Sequence, residues 1–361
     1  MPEIRISQLQ QPQAAALAQP EGTRLDKLVD GKPSAVRRFL LSRGNSVVAD
    51  RVFQGLMLLS ALSIFAIVLL ILYALVTGSQ LSWHKFGLSF FYQSFVDPYT
   101  HQKLYWDPVN GQFSALPFIY GTLVSSFLAL LIAVPLGIGV AIFLTEMCPG
   151  AMRGPLSFLT ELLAAIPSII YGFWAITVLV PMLREHLNPL LIRAFGWTGL
   201  FTDENPTGLG FVSAGVILSI MILPIISSLT REVMRAVPHS QREAVLALGA
   251  TRWEMIRMGV LRNARIGIVG GIILGLGRAL GETMAVAMVI GNTPDIHRSL
   301  LSNGSSMAAV IANEYAEAVT NLHYSALTEI GLALFIVTII VNAIAQLLVW
   351  AVTRGAPSRA H

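Results

Sequence analysis

Six apolar runs, each long enough to cross a bilayer, constrain this chain more than any other feature. They cover approximately residues 53–76, 116–144, 162–183, 208–229, 266–290 and 327–352, and a hydrocarbon core of about 30 Å takes roughly 20 helical residues. In lipid a chain must satisfy its own backbone polar groups, so such runs fold as helices. The sequence therefore predicts an all-α, polytopic integral membrane protein with six transmembrane helices. Composition agrees, because only 12% of residues are charged and 54% are hydrophobic, whereas a soluble domain carries about 25% charged residues. The first run is longer than the roughly 7–15 residues of a signal-peptide core, and an anchored first span is expected.

Lysine and arginine give the orientation. Eighteen of the 24 lie before the first run, at Arg153, in the connection between the fourth and fifth runs, or in the C-terminal tail. Five lie on the other side (Lys85, Lys103, Arg184, Arg193 and Arg298), and Arg278 stands inside the fifth run. An excess of this kind places both termini and the 231–265 connection in the cytoplasm. It also accounts for the net charge of +4 without a nucleic-acid groove. Cys148 is the single cysteine, so no internal disulfide is possible.

Residues 1–50 read as a largely disordered cytoplasmic tail that opens on a Gln-, Ala- and Pro-rich stretch (QLQQPQAAALAQP). A transmembrane domain is expected over 51–355 and a short tail over 356–361. Within the domain, 77–115 forms an extended outer loop. Its Trp83, Phe90, Phe91, Tyr92, Tyr105 and Trp106 make either an interfacial belt or a docking surface for an external partner. Pro135, Pro167, Pro181 and Pro224 predict kinks in the spans that contain them.

The 231–265 connection is too long for a turn and carries two helix starts. Ser240 with Glu243, and Thr251 with Glu254, both have the capping-box spacing, in which the hydroxyl caps a backbone N–H and the carboxylate reaches back. Gly249 falls between them, where a helix end favours a residue free to adopt positive φ. A helix, a corner and a second helix are predicted, with Ala244, Val245 and Leu248 as a small apolar face.

The stretch EAVLALGATRWEMIRMGVLR resembles the cytoplasmic EAA loop of binding-protein-dependent ABC importer permeases. Glu243, Ala244, Gly249 and Leu261 match in register. Val245 stands where the family has a second Ala, Gly259 where it has Ile, and Arg262 where it has Pro. QFSALPFIYGTL, IPSIIYGFW, LGLGRALGETMAVAMVIGN and AAVIANEYAEA narrow the resemblance to PstC-type permease subunits of bacterial phosphate importers, over roughly residues 50 to 355. What that resemblance implies is a type I importer permease in the bacterial cytoplasmic membrane that passes inorganic phosphate by alternating access. It implies a PstA-like second permease, a PstB-like ATPase dimer holding ATP and magnesium, and a PstS-like periplasmic phosphate-binding protein. The corner at 243–249 would seat in the ATPase and carry its motion into the membrane.

Arg278 is thirteenth of the 25 residues of the fifth run, so at about 1.5 Å per residue it falls near the bilayer midplane. A charge there costs on the order of 2.5–3.5 kcal/mol. Glu282 follows at i+4, which on a continuous helix puts it on the same face, close enough for partial neutralisation. Guanidinium donors match the oxygens of an oxyanion, and Glu282 would keep its stay brief. Arg278, Glu282 and the adjacent Thr283 are the candidate substrate path; a packing ion pair is the alternative. Gly267, Gly271 and Gly275 form a stripe at spacing four, with Gly277 and Gly281 one face over, and this helix is expected to line an interface with a second permease.

None of the four lysines lies in a phosphate-cradling Gly-x-x-x-x-Gly-Lys-Ser/Thr loop. The chain is therefore not its own ATPase. Its seven histidines have no metal-ligand spacing and no catalytic grouping, so no catalytic residue, metal site or bound cofactor is expected. A permease for sulfate or molybdate could use the same arginine. An ion-coupled secondary transporter could use a paired Arg and Glu, but has no need of the capped corner.

Overall fold

The structure, a computed structural model, describes residues 43–96, 103–202 and 207–354. The predicted tail lies outside the described residues up to 42, and from Arg43 the chain is already helical. The short C-terminal tail lies outside them as well. Two units are distinguished, one ending at Leu70 and the other beginning at Ile71. Helix α1, Arg43–Gly78, carries the described part of the first unit and leads into the second.

Among the described residues six helical stretches are long and apolar enough to cross a membrane: Val48–Gly78, Leu116–Met147, Ser168–Thr198, Phe211–Arg235, Arg252–Leu280 and Asn321–Leu347. Six spans were expected, and two of them sit differently along the chain. The third begins six residues late, because Pro167 pushes Ile166 into extended backbone (φ −72°, ψ 128°). The residues before that corner form a separate helix. The fifth ends at Leu280 rather than near 290. Gly281 closes it at φ −94°, ψ 1°, and the chain restarts as a short helix at Met284.

The 77–115 connection, expected as an outer loop, is folded. Helix α2 (Gln80–Phe86) leads to two small antiparallel ladders, β1 (Phe95–Val96) with β2 (Lys103–Leu104) and β3 (Trp106–Asp107) with β4 (Gln112–Phe113). Phe90, Trp106 and Phe113 turn inward and pack with Phe118, Met307 and Ile330. Part of the predicted aromatic belt is thus the core of a small cap over the ends of the spans, while Trp83 and Tyr92 stay exposed. The cap is tied down by polar contacts too. Trp106 Nε1 donates to Glu314 Oε2 at 2.8 Å, and His323 Nε2 lies 2.9 Å from the same oxygen.

The remaining helices are α3 (Leu116–Ile142), α4 (Gly150–Ala165), α5 (Ser168–Trp174), α6 (Val180–Met182), α7 (Asn188–Phe195) and α8 (Phe211–Arg235). After them come α9 (His239–Ala247), α10 (Arg252–Glu254), α11 (Arg262–Leu280), α12 (Met284–Val289), α13 (Met307–Glu314) and α14 (Asn321–Arg354). Pro135 and Pro224 lie inside α3 and α8. Pro181 lies in α6 between two π-turns, Ala175–Leu179 and Leu183–Leu187, a widened ladder beside a residue that cannot donate.

Helix α8 is the centre of the second unit. Its Phe211, Ile217, Ile222 and Ile226 are fully buried in the largest apolar cluster, with Ala129 and Ala133 of α3 and Ala285 and Val289 of α12. A third cluster joins Ala141 at the end of α3 to Met234, Val237, Met255, Ile256 and Val260. It holds the 231–265 segment against the spans.

Candidate functional site

The 231–265 segment folds as helix, corner, helix. Gly249 sits at the corner with φ +82° and no neighbour near its missing Cβ, so the backbone conformation alone selects glycine. Thr251 Oγ1 accepts from the Glu254 N–H at 3.3 Å, and Glu254 Oε2 accepts from the Thr251 N–H at 2.8 Å. This capping box forms as predicted. The one expected at Ser240 does not. Pro238 (φ −59°, ψ 143°) caps α9 instead, which therefore starts at His239 and takes Ser240 into its first turn.

The apolar face expected from Ala244, Val245 and Leu248 is divided. Val245 turns inward onto the third cluster. Ala244 and Glu243 face solvent, and Leu248 is 88% exposed at the tip. Between them Arg242 anchors the helix. Its Nη2 and Nε donate to Glu146 Oε1 at 3.0 and 3.3 Å, Nη2 donates to the Met234 carbonyl at 2.8 Å, and Nη1 donates to that of Val237. The two side chains are 11% and 9% exposed. Such a charge-assisted, multiply bonded pair fixes geometry as well as distance, and here it joins α9 to the π-turn Phe143–Met147 at the end of α3. Sequence reasoning did not find Arg242 or Glu146. Their separation of 96 positions leaves no local signal.

Arg278 lies in the last turn of α11 and lines a groove of about 540 Å³ with Gly270, Ile273, Leu274 and Gly277 of the same helix, Ile225 of α8, and Asn342 and Gln346 of α14. Its guanidinium has no hydrogen-bond or ion-pair partner among the described residues. The expected pair with Glu282 is not formed. The helix stops at Leu280, so i+4 spacing no longer means a shared face, and Glu282 is held by a backbone bond from its N–H to the Ala279 carbonyl at 3.4 Å. Thr283 Oγ1 donates to the Gly281 carbonyl at 3.3 Å. Both are half-buried at the break and neither lines the groove.

The glycine stripe is also placed differently from the expectation. A Cβ on Gly267 would lie 2.5 Å from Val233, one on Gly275 3.0 Å from Ile226, and one on Gly271 3.2 Å from Leu229, all residues of α8. The stripe seats the fourth span of the same chain and is not open to a second one. Gly270 and Gly277, by contrast, face open space along the groove. Asn342 and Gln346 were missed by sequence reasoning. The available signal was an i, i+4 pair of carboxamides in the sixth span, which share one helix face.

A family model described as binding-protein-dependent transport system inner membrane component matches residues 133–355. The phosphate transport system permease protein PstC of Mesorhizobium japonicum is 43% identical over 319 residues, which are 87% of this chain and 92% of that one. That of Haemophilus influenzae is 44% identical over 308 residues, 84% of this chain and 94% of that one. A bacterial alginate ABC transporter, solved with a pentasaccharide-bound periplasmic protein, contains a chain that shares the fold at a TM-score of 0.54 and 18% identity, covering 84% of this chain and 96% of that one. With the spans and the capped corner in place, this chain belongs to the family of binding-protein-dependent transport system inner membrane components, as a multi-pass permease of the ABC importer type.

Proposed function

We propose that this chain is a permease subunit of an ATP-driven importer that passes inorganic phosphate across the bacterial inner membrane by alternating access. The observation that carries the reading is the similarity, along most of both chains, to permeases named for phosphate transport. The groove supplies its chemistry: an unpartnered guanidinium beside an apolar wall offers planar donors to a tetrahedral anion. Arg278 meets the anion, and Glu282 with Thr283 at the helix break borders its path.

Glu243 and Ala244 on the exposed side of α9 and Leu248 at its tip, with Val245 and Gly249 setting the shape, are the surface offered to an ATPase subunit. ATP and magnesium are held there and not by this chain. A second permease approaches the face of α11 left free by α8, where Ile266 and Leu274 are exposed. A periplasmic phosphate-binding protein delivers the anion at the outer cap, and both termini face the cytoplasm.

The test is uptake of labelled phosphate, with sulfate alongside, in cells lacking this gene and restored with the parent chain or with Arg278→Gln at equal membrane levels. Phosphate uptake that returns with the parent and not with the variant supports the reading. Restored sulfate uptake in place of phosphate overturns the substrate, and equal rescue by both chains removes Arg278 from the path.

A further inference from the structure

We propose that Asn342 and Gln346 complete the anion site around Arg278, and that the Asn342 carboxamide oxygen accepts a hydrogen bond from the protonated oxygen of phosphate. This rests on reading the groove as the path of the anion.

The two carboxamides come from one face of α14 and line the same groove as Arg278. Asn342 Oδ1 is buried and has no hydrogen-bond partner among the described residues. Buried polar atoms are nearly always paired, and leaving one unmade is costly. Polar groups within a span are expensive as well and tend to mark a pathway. An acceptor without a donor, beside a cation without an anion, describes one ligand that carries both an O⁻ and an O–H. Inorganic phosphate near neutral pH is such a ligand, since it keeps at least one proton. Sulfate has none to donate.

Arginine cannot accept the hydrogen of the P–O–H, because all its hydrogen-bonding groups are donors. A carboxamide offers both an acceptor and an N–H₂, so Asn342 can take the P–O–H while Gln346, one turn on, donates to another oxygen. Neither adds charge. A site with one positive group and neutral helpers recognises the anion yet lets it leave, as conduction requires. The apolar flank of Ile225, Ile273 and Leu274 thins the surrounding water and strengthens each bond, while the absent side chains of Gly270 and Gly277 keep the groove open.

The experiment measures phosphate transported per ATP hydrolysed in proteoliposomes holding the full complex, supplied with its binding protein, for the parent, Asn342→Leu, Asn342→Asp, Gln346→Leu and Arg278→Gln. Losing one hydrogen bond to a charged ligand predicts that Asn342→Leu delivers roughly ten- to a hundredfold less phosphate per ATP, with binding-protein-stimulated hydrolysis and assembly near parent levels. Asn342→Asp, which keeps the acceptor, retains more transport than Asn342→Leu. Gln346→Leu shows a smaller loss of the same kind. Parent-like transport by Asn342→Leu while Arg278→Gln is inactive overturns the inference and leaves the phosphate path standing. Parent-like transport by Arg278→Gln overturns the path itself. A fall in assembly and hydrolysis matching the fall in transport in both leucine variants assigns the carboxamides to packing and overturns the inference too.

Discussion

Two arginines of this chain stand in opposite environments. Arg242, under the helix–corner–helix segment, is buried against Glu146 and two backbone carbonyls. Arg278, in the membrane groove, has no partner among the described residues. Both reside in a protein whose spans hold few charges, and only the first has its donors answered from within. An arginine whose partners are all supplied by the fold holds two elements together. One whose partners are missing leaves its donors open, which is what the proposed anion path asks of Arg278.

The comparison is broken most severely from the Arg242 side. Arg242→Ala leaves Glu146 buried and unpaired, and such a change costs about 3–5 kcal/mol. The expected result is a lower unfolding temperature together with loss of the ATPase subunit on purification. Replacing both residues by leucine should recover much of the stability, because an apolar pair of similar volume is often as stable as the ion pair. Recovery of stability without recovery of transport would locate the pair in motion transfer.

A smaller effect is expected at Arg278→Lys, which keeps the charge and discards the fork. Uptake should fall about tenfold, in line with one charge-assisted hydrogen bond, while the unfolding temperature stays at the parent value because no contact of the fold is removed. Uptake at the parent rate would reduce Arg278 to a point charge. Smallest is Gly249→Ala. With open space around the position, only the positive φ opposes a side chain, at about 1 kcal/mol. A modest fall in melting temperature and in stimulated hydrolysis is the expected reading, and a fall several times larger would mean that the corner's backbone is pressed by a partner.

The same two regions separate what was legible in the sequence from what was not. Periodic or local signals were readable: six apolar runs, the Thr251 and Glu254 box, and the glycine at the corner. Pro238 overrode the box at Ser240 by capping the helix itself, so that α9 starts at His239 and Ser240 falls inside its first turn. Gly281 ended the fifth span where hydropathy alone ran on, and with it went the Arg278 and Glu282 pair. The glycine stripe was recognised as a place of close approach, but sequence could not say that its occupant was the preceding span. Arg278 was found because a charge deep in an apolar run stands out. Glu146 and Arg242 were not, since each acquires its meaning from a residue far along the chain, and Asn342 and Gln346 offered only their i, i+4 spacing until the fold set them beside Arg278.

Cys148, the single cysteine, ends the π-turn that carries Glu146 and is 5% exposed, with its Sγ 3.5 Å from the Pro149 carbonyl. A thiol so shielded reacts slowly with bulky maleimides, so the natural chain is already a near-silent background for site-directed labelling. A fluorophore or spin label attached through Leu248→Cys would report from the exposed tip of α9, and the stroke of the corner would become a distance that can be followed in time.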